Sequence, residues 1–381
     1  KEQFMTGRER LIALLQGVIP DHVPVCPDIS NMVPCRLTGK PFWDIYLYHD
    51  PPLWKAHIDA IKYFRLDGGL ELRARGLVDP VYGTRNNREE RIVMKNSERI
   101  VTRFFCLETE TWSPSAVVYT QDNPPGTGVS PENLGLPETP TEWEPVTGQK
   151  EWPDGYELWK YVKEYLGDNG IIGMGSGFHS KIIGNDTESV YEYYDNPEKI
   201  RERAEQMTEH ALDRVKKIAE LEIRPDVLYC GASGTLVFQT PQMVRELILP
   251  GMKKVTGLAK EIGIPTHVHS CGPEKELVKM FAEETDLTII DPLEIPPMGD
   301  CILAEVKERW GDKIILKGNL HTTQTMLNGS ADDVRAAGKK AIDDAGKGGG
   351  FMLSSGDQCG RDTPDENIFA TVEIAESYGK Y

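Results

Sequence analysis

From residue 171 onward the chain alternates short apolar runs with longer stretches whose apolar positions recur at helical spacing. The runs at 171–178, 226–233, 265–271, 287–294, 313–320 and 351–358 are rich in β-branched residues and almost continuously hydrophobic. That is the pattern of parallel strands covered on both faces. Between the first runs, NPEKIRERAEQMTEHALDRVKKIAEL and TPQMVRELILPGMKKVTGLAKEIG keep one polar face and predict amphipathic helices. The final helix is expected to open with Thr363 as N-cap, Pro364 at the first helical position and Glu366 completing a capping box. Two more strands, DHVPVC (21–26) and GGLELRA (68–74), flank the helical PPLWKAHIDAIKYF. Eight strands with intervening helices predict an α/β fold of the (β/α)8 TIM-barrel type, with 1–381 as a single domain. A doubly wound open sheet is the runner-up, but no glycine-rich phosphate loop follows any strand.

Residues 80–150 break the alternation. ERIVMKNSERIVTRFFCLETETW predicts an antiparallel hairpin turning at Lys95, Asn96 and Ser97, and a proline-broken excursion follows it. Inserted between an early strand and the next helix, this segment is expected as a lid over the barrel mouth, with surface decoration as the alternative.

Charge and cysteine usage narrow the function. A net charge of −17 argues against a nucleic-acid binder, which needs a basic stripe to displace counterions. No apolar run reaches the length of a membrane span. KEQFMTGRERLIALLQG reads as a charged amphipathic helix without a secretory core, so the expected location is cytoplasmic. Seven cysteines, an odd number, do not form a disulfide framework. They are core thiols, metal ligands or nucleophiles.

In a barrel of this type chemistry collects where strands end. His179, Ser233, His269, Cys271, Asp291, Glu294, Asn319, His321, Asp357 and Cys359 all fall at such ends. His269 and Cys271, at i and i+2, can point the same way, and barrel closure can bring Cys359 across to them. The three have the chemistry of an open zinc site, which takes three protein ligands and leaves one position vacant. Satisfied core residues plus a loop thiol is the other reading, and a Cys271–His269 nucleophile pair leaves the third thiol unexplained. Glu294, fixed by the Ile-Pro-Pro that follows, suits a fourth ligand, a general acid or a cap for loop amides. Glu294 and His321 are the expected catalytic residues; His179, Tyr229, Asn319 and Asp357 are the expected substrate contacts. His267, inside its strand, is expected in a core or inter-layer role. Cys26, Cys106 and Cys301 read as inert thiols, the last in the first turn of a helix; Cys230 reads as mid-strand and Cys35 as a loop residue.

The stretches TPQMVRELILPGMKKVTGLAKEIGIPTHVHSCG, PLEIPPMGD and GGGFMLSSGDQCGRDTPDENI resemble the uroporphyrinogen decarboxylase superfamily, a TIM-barrel family. Within it the chain is more similar to the corrinoid-dependent methyltransferase branch. The resemblance implies zinc held by His269, Cys271 and Cys359. It also implies transfer of a methyl group from a small methylated donor to the Co(I) corrinoid of a partner protein. Phe104, Phe105, Trp112, Tyr119 and Trp143 suggest an aryl methyl ether as donor. A methylcobalamin:thiol methyltransferase is the alternative, and a non-catalytic barrel binding a corrinoid or ligand is a third reading. No cobalamin-binding motif occurs in the chain, so the corrinoid is expected on the partner; a homodimer is the family expectation. Decarboxylase activity fits less well, because PVCPDISNMVPCRLTGK has lost the family's arginine motif, keeping Arg36 alone. Asp67 stands near that branch's aspartate position, but an acidic chain is a poor receptor for a substrate rich in carboxylates.

Overall fold

A computed structural model of the chain describes residues 4–68, 79–83, 87–184 and 186–381. Two compact units emerge, one from residues within Lys1–Asp28, Ile61–Arg73 and Leu166–Tyr381, the other within Ile29–Ala60 and Ala74–Tyr165. The strands in chain order are β1 (Arg88–Lys95), β2 (Arg99–Cys106), β3 (Thr111–Thr120), β4 (Gly126–Val129), β5 (Glu144–Pro145), β6 (Gly173–Gly175), β7 (Val227–Tyr229), β8 (Thr266–His269), β9 (Ile289–Asp291), β10 (Ile315–Leu320) and β11 (Phe351–Ser355).

The second unit is built on an antiparallel sheet in the order β4-β3-β2-β1-β5. The expected hairpin is β1–β2, and Asn96 makes its turn by accepting from the amides of Glu98 and Arg99, each at 2.9 Å. The unit also takes in residues 29–60. Its short helices bury Cys35, Phe42, Ile45 and Leu53 in one cluster, while Leu47 packs on Ile92, Ile100 and Tyr119 of the sheet. Cys35 lies in the helix Met32–Leu37 rather than in a loop. Of the aromatic side chains expected to face a ligand, Phe105, Trp112, Tyr119 and Trp143 are engaged within the unit. The Arg91 guanidinium lies 3.9 Å from the ring centres of both Phe105 and Trp143, and Tyr119 donates to Glu90 at 2.6 Å.

The first unit carries a six-stranded parallel sheet running β6 to β11 in simple succession. Val25 pairs in parallel with Leu353 beyond β11, and the Asp67 amide donates to the Val25 carbonyl at 3.1 Å. Gly68 and Gly170 come together: a Cβ at Gly170 would lie 2.8 Å from the Gly68 Cα. Residues 69–74 of the second expected strand lie outside the described residues. The interior contains Cys26, Ile171, Val227, Tyr229, Ile289 and Met352, the last four on β7, β9 and β11, with Leu11 and Leu14 of the helix Gly7–Leu15 packed against them. This is the α/β architecture of the TIM-barrel type, filled by layers of side chains.

The ladders are shorter than the apolar runs, because the chain leaves each strand into a loop before its hydrophobicity ends. The helix Pro197–Ala219 forms as expected, with proline in its first turn. The helix expected over 240–263 is broken by a π-helical turn, Val244–Ile248. Pro250 has no N–H to donate, and the turn just upstream reorganises the ladder around that gap. The final helix starts at Asp365 with Pro364 in the capping position and no side-chain cap, so the expected Thr363–Glu366 box does not form. The helix opens one residue later than expected, which moves Thr363 out of capping position. Cys301 precedes its helix, which begins at Leu303, and Cys230 follows β7. Burial pushes the thiols of Cys26 and Cys301 up and that of Cys230 to about 12, as inert core thiols require. No helix among the described residues is long and apolar enough to cross a membrane.

Candidate metal centre

β8 delivers His267 and His269 to the same face, two residues apart, into the barrel interior. Parallel pairing sets His269 opposite Asp291 on β9. Lys317 reaches the same carboxylate from β10, and all three side chains are almost wholly covered. Asp291 Oδ1 accepts from His267 Nε2 at 2.7 Å and from His269 Nδ1 at 3.2 Å, while Lys317 Nζ donates to Oδ2. Burial opposes ionisation of Asp291, but Lys317 and then the two histidines outweigh it and hold the carboxyl well below the usual carboxylate range.

His269 therefore turns its other nitrogen outward. Nε2 lies 3.7 Å from Asp357 Oδ1, and ligand-type atoms of His269, Cys271 and Asp357 all fall within 4.8 Å of one another. Gly272, at φ 90°, turns the chain immediately after Cys271. Asp357 sits in the turn after β11 at φ 124°, a backbone region that side chains rarely adopt and that recurs at functional sites. An imidazole backed by a carboxylate, a half-buried thiol and a second carboxylate form a donor set suited to zinc.

Two glutamates fasten the loops beside this cluster. Glu294 Oε2 accepts from the Gly272 amide at 2.5 Å, and Glu274 Oε2 accepts from the Leu293 amide at 2.7 Å, so the loops after β8 and β9 are cross-bonded. Burial raises the Glu294 carboxyl, and the nearby Asp357 charge adds to that rise. Glu274, wholly buried, is raised well above the ordinary range by burial and then by the Asp291 charge.

The other expected site residues are placed as follows. Cys359 is fully buried two residues beyond Asp357, its amide donating to the Asp28 carbonyl at 2.7 Å, and burial pushes its thiol up to about 12. It is not part of the close cluster. Asn319 donates to the Leu293 carbonyl at 3.0 Å, next to Glu294. His321 caps the following helical turn, Nδ1 accepting from the amides of Thr323 and Gln324, which leaves Nε2 for chemistry. His179 is exposed in the loop after β6. Tyr229 is packed in the interior at the level of His267, with ring centres 5.0 Å apart. Asp67 is bound by Arg10 and by the Val25 amide, which gives it a structural task.

The sequence reading missed Lys317 and Glu274. Lys317 had a signal: a lysine inside KIILKGNL, a run otherwise fit for full burial, needs an acidic partner, and LTIID supplies one on the neighbouring strand. Gly231 is also required by the geometry, since a Cβ there would lie 2.6 Å from the His269 nitrogen and 2.8 Å from its carbonyl oxygen. Gly231→Ala is expected to cost about 1–3 kcal/mol as a lowered Tm and to weaken metal binding, because the backbone of His269 has to move. Thermal unfolding and metal titration of the variant check both.

The fold and the cluster together define an α/β barrel with a candidate metal centre where its strands end. Residues 185–378, just over half of the chain, match the uroporphyrinogen decarboxylase (URO-D) family model, and the chain belongs to that family. Over 132 residues, 34% of this chain and 35% of the relative, it is 30% identical to the methylcobamide:CoM methyltransferase MtbA of Methanosarcina mazei. Over 159 residues, 39% of this chain and 43% of the relative, it is 28% identical to the uroporphyrinogen decarboxylase of Thioalkalivibrio sulfidiphilus. The chain thus matches well under half the length of these curated relatives. A solved methyltransferase from Methanosarcina mazei shares the fold over 98% of this chain and 99% of its own, with a TM-score of 0.61 at 18% identity.

Proposed function

We propose that this chain is a zinc-dependent methyltransferase that exchanges a methyl group between a small heteroatom compound and the corrinoid of a partner protein. The observation that carries it is the convergence of His269, Cys271 and Asp357 at the barrel rim, with His269 backed by Asp291. The methylcobamide:CoM methyltransferase among the relatives supports the same reading. His269 and Cys271 would be two protein ligands, and the turn 357–359 would supply the third. Cys359 is preferred for that place because thiolate is the softer donor, with Asp357 as the competing ligand. Bound there, zinc supplies Lewis acidity that stabilises a departing heteroatom or holds an accepting thiol as thiolate. Glu294, kept protonated further up the pH scale by burial and held by the Gly272 amide, would hand a proton to a departing heteroatom.

Two directions of transfer are compatible with these roles. The aryl-ether donor rested on aromatic residues that the second unit uses for its own packing, around Arg91 and Glu90. The thiol-acceptor direction gains from the relative named as a methylcobamide:CoM methyltransferase. One experiment covers both: the protein in catalytic amount with methylcobalamin and a panel of thiols, and separately with Co(I) corrinoid and methyl ethers, amines and thioethers. Turnover is read from the cobalt spectrum. Loss of methyl-Co(III) with thiols assigns the first direction, and its appearance with a methylated donor assigns the second. No turnover in either arm would sink the enzyme reading in favour of a binding barrel.

A further inference from the structure

We infer that Asp291 and Lys317 are positioning residues that fix which nitrogen of His269 faces the ligand cluster. Asp291 Oδ1 meets both His267 Nε2 and His269 Nδ1, and an ionised carboxylate can only accept. Both ring nitrogens must then donate, which places a His269 proton on Nδ1, so that in the neutral imidazole the lone pair lies on Nε2, turned toward Cys271 and Asp357. Lys317 completes the device from the next strand: its ammonium against Oδ2 keeps the carboxylate an acceptor in a fully buried setting. His267, in the layer below, holds Oδ1 from the other side and limits rotation of the carboxylate.

A bare salt bridge would stabilise the barrel without regard to imidazole tautomer. Here two histidines share one oxygen, and the shared oxygen dictates both tautomers. The same task is given to carboxylates behind metal-bound histidines, where loss of the partner lowers metal affinity about 10–100-fold.

The inference rests on the reading of His269 as a ligand, and the test separates the two. Metal-free protein labelled with 15N-histidine is examined by long-range 15N–1H correlation, and zinc affinity is measured by competition with a chromophoric chelator. Wild type, Asp291→Asn and the double variant Asp291→Asn/Lys317→Met are compared; the double variant removes both charges and guards against misfolding from an unpaired one. The expected result is a His269 proton on Nδ1 in the wild type, a shift toward the Nε2–H form in both variants, and zinc affinity reduced about 10–100-fold. A wild-type His269 protonated on Nε2, or variants that keep the wild-type tautomer, would overturn the inference. A wild type with the Nδ1–H tautomer but no zinc affinity would sustain the positioning role and overturn the zinc reading instead.

Discussion

Cys271→Ala is expected to take zinc from about one ion per chain to almost none and to abolish methyl transfer, while the barrel stays folded. Cys271 is the thiol of the close cluster, standing half-buried at the rim with its ligand partners within 4.8 Å. Its loss leaves His269 and one donor from the turn 357–359, too few to hold the ion in a site open to solvent. The barrel interior is untouched, so Tm of the metal-free protein should scarcely change. Plasma mass spectrometry on purified wild type and variant reads the metal directly. Cys359→Ala and Asp357→Ala in the same series assign the third ligand, since only the variant at the true ligand loses zinc as fully as Cys271→Ala does. Zinc retained in Cys271→Ala, or absent from the wild type, would remove the metal centre and return the histidine–cysteine segment to ordinary core.

The second large effect is on stability. Lys317→Met should lower stability by about 3–5 kcal/mol, because the Asp291 carboxylate stays buried without its ammonium. The double variant Asp291→Asn/Lys317→Met should cost much less, since replacing both members of a buried pair removes the uncompensated charge. Thermal unfolding of the wild type, the two single variants and the double variant forms a cycle whose coupling term is the quantity of interest. A single variant no worse than the double would mean that Lys317 contributes packing alone.

The barrel order was legible because buried parallel strands announce themselves as continuous apolar runs, and each of the six runs from residue 171 onward holds a strand of the sheet. Strand ends were less legible. Hydrophobicity continues through Ser270–Cys271 and Pro292–Leu293 after the ladder has stopped, since the rim loops are buried too. The helix break at Val244–Ile248 was signalled by Pro250 and overlooked, because the apolar period runs unbroken across it. At the site, His269 and Cys271 could be paired from spacing, but tertiary geometry alone shows Asp357 closing on them. Glu274 left no trace in the sequence: its partner is a backbone amide nineteen residues away, and amides carry no sequence signal.

The crossed bonds between the loops after β8 and β9 have a kinetic meaning. Gly272 gives its amide to Glu294 and Leu293 gives its amide to Glu274, so neither loop can lift without breaking a bond that the other depends on. Two connections that would otherwise fray separately share one opening event, with one free energy. Cys271 on the first loop and Glu294 on the second are therefore expected to move together, as one unit rather than two.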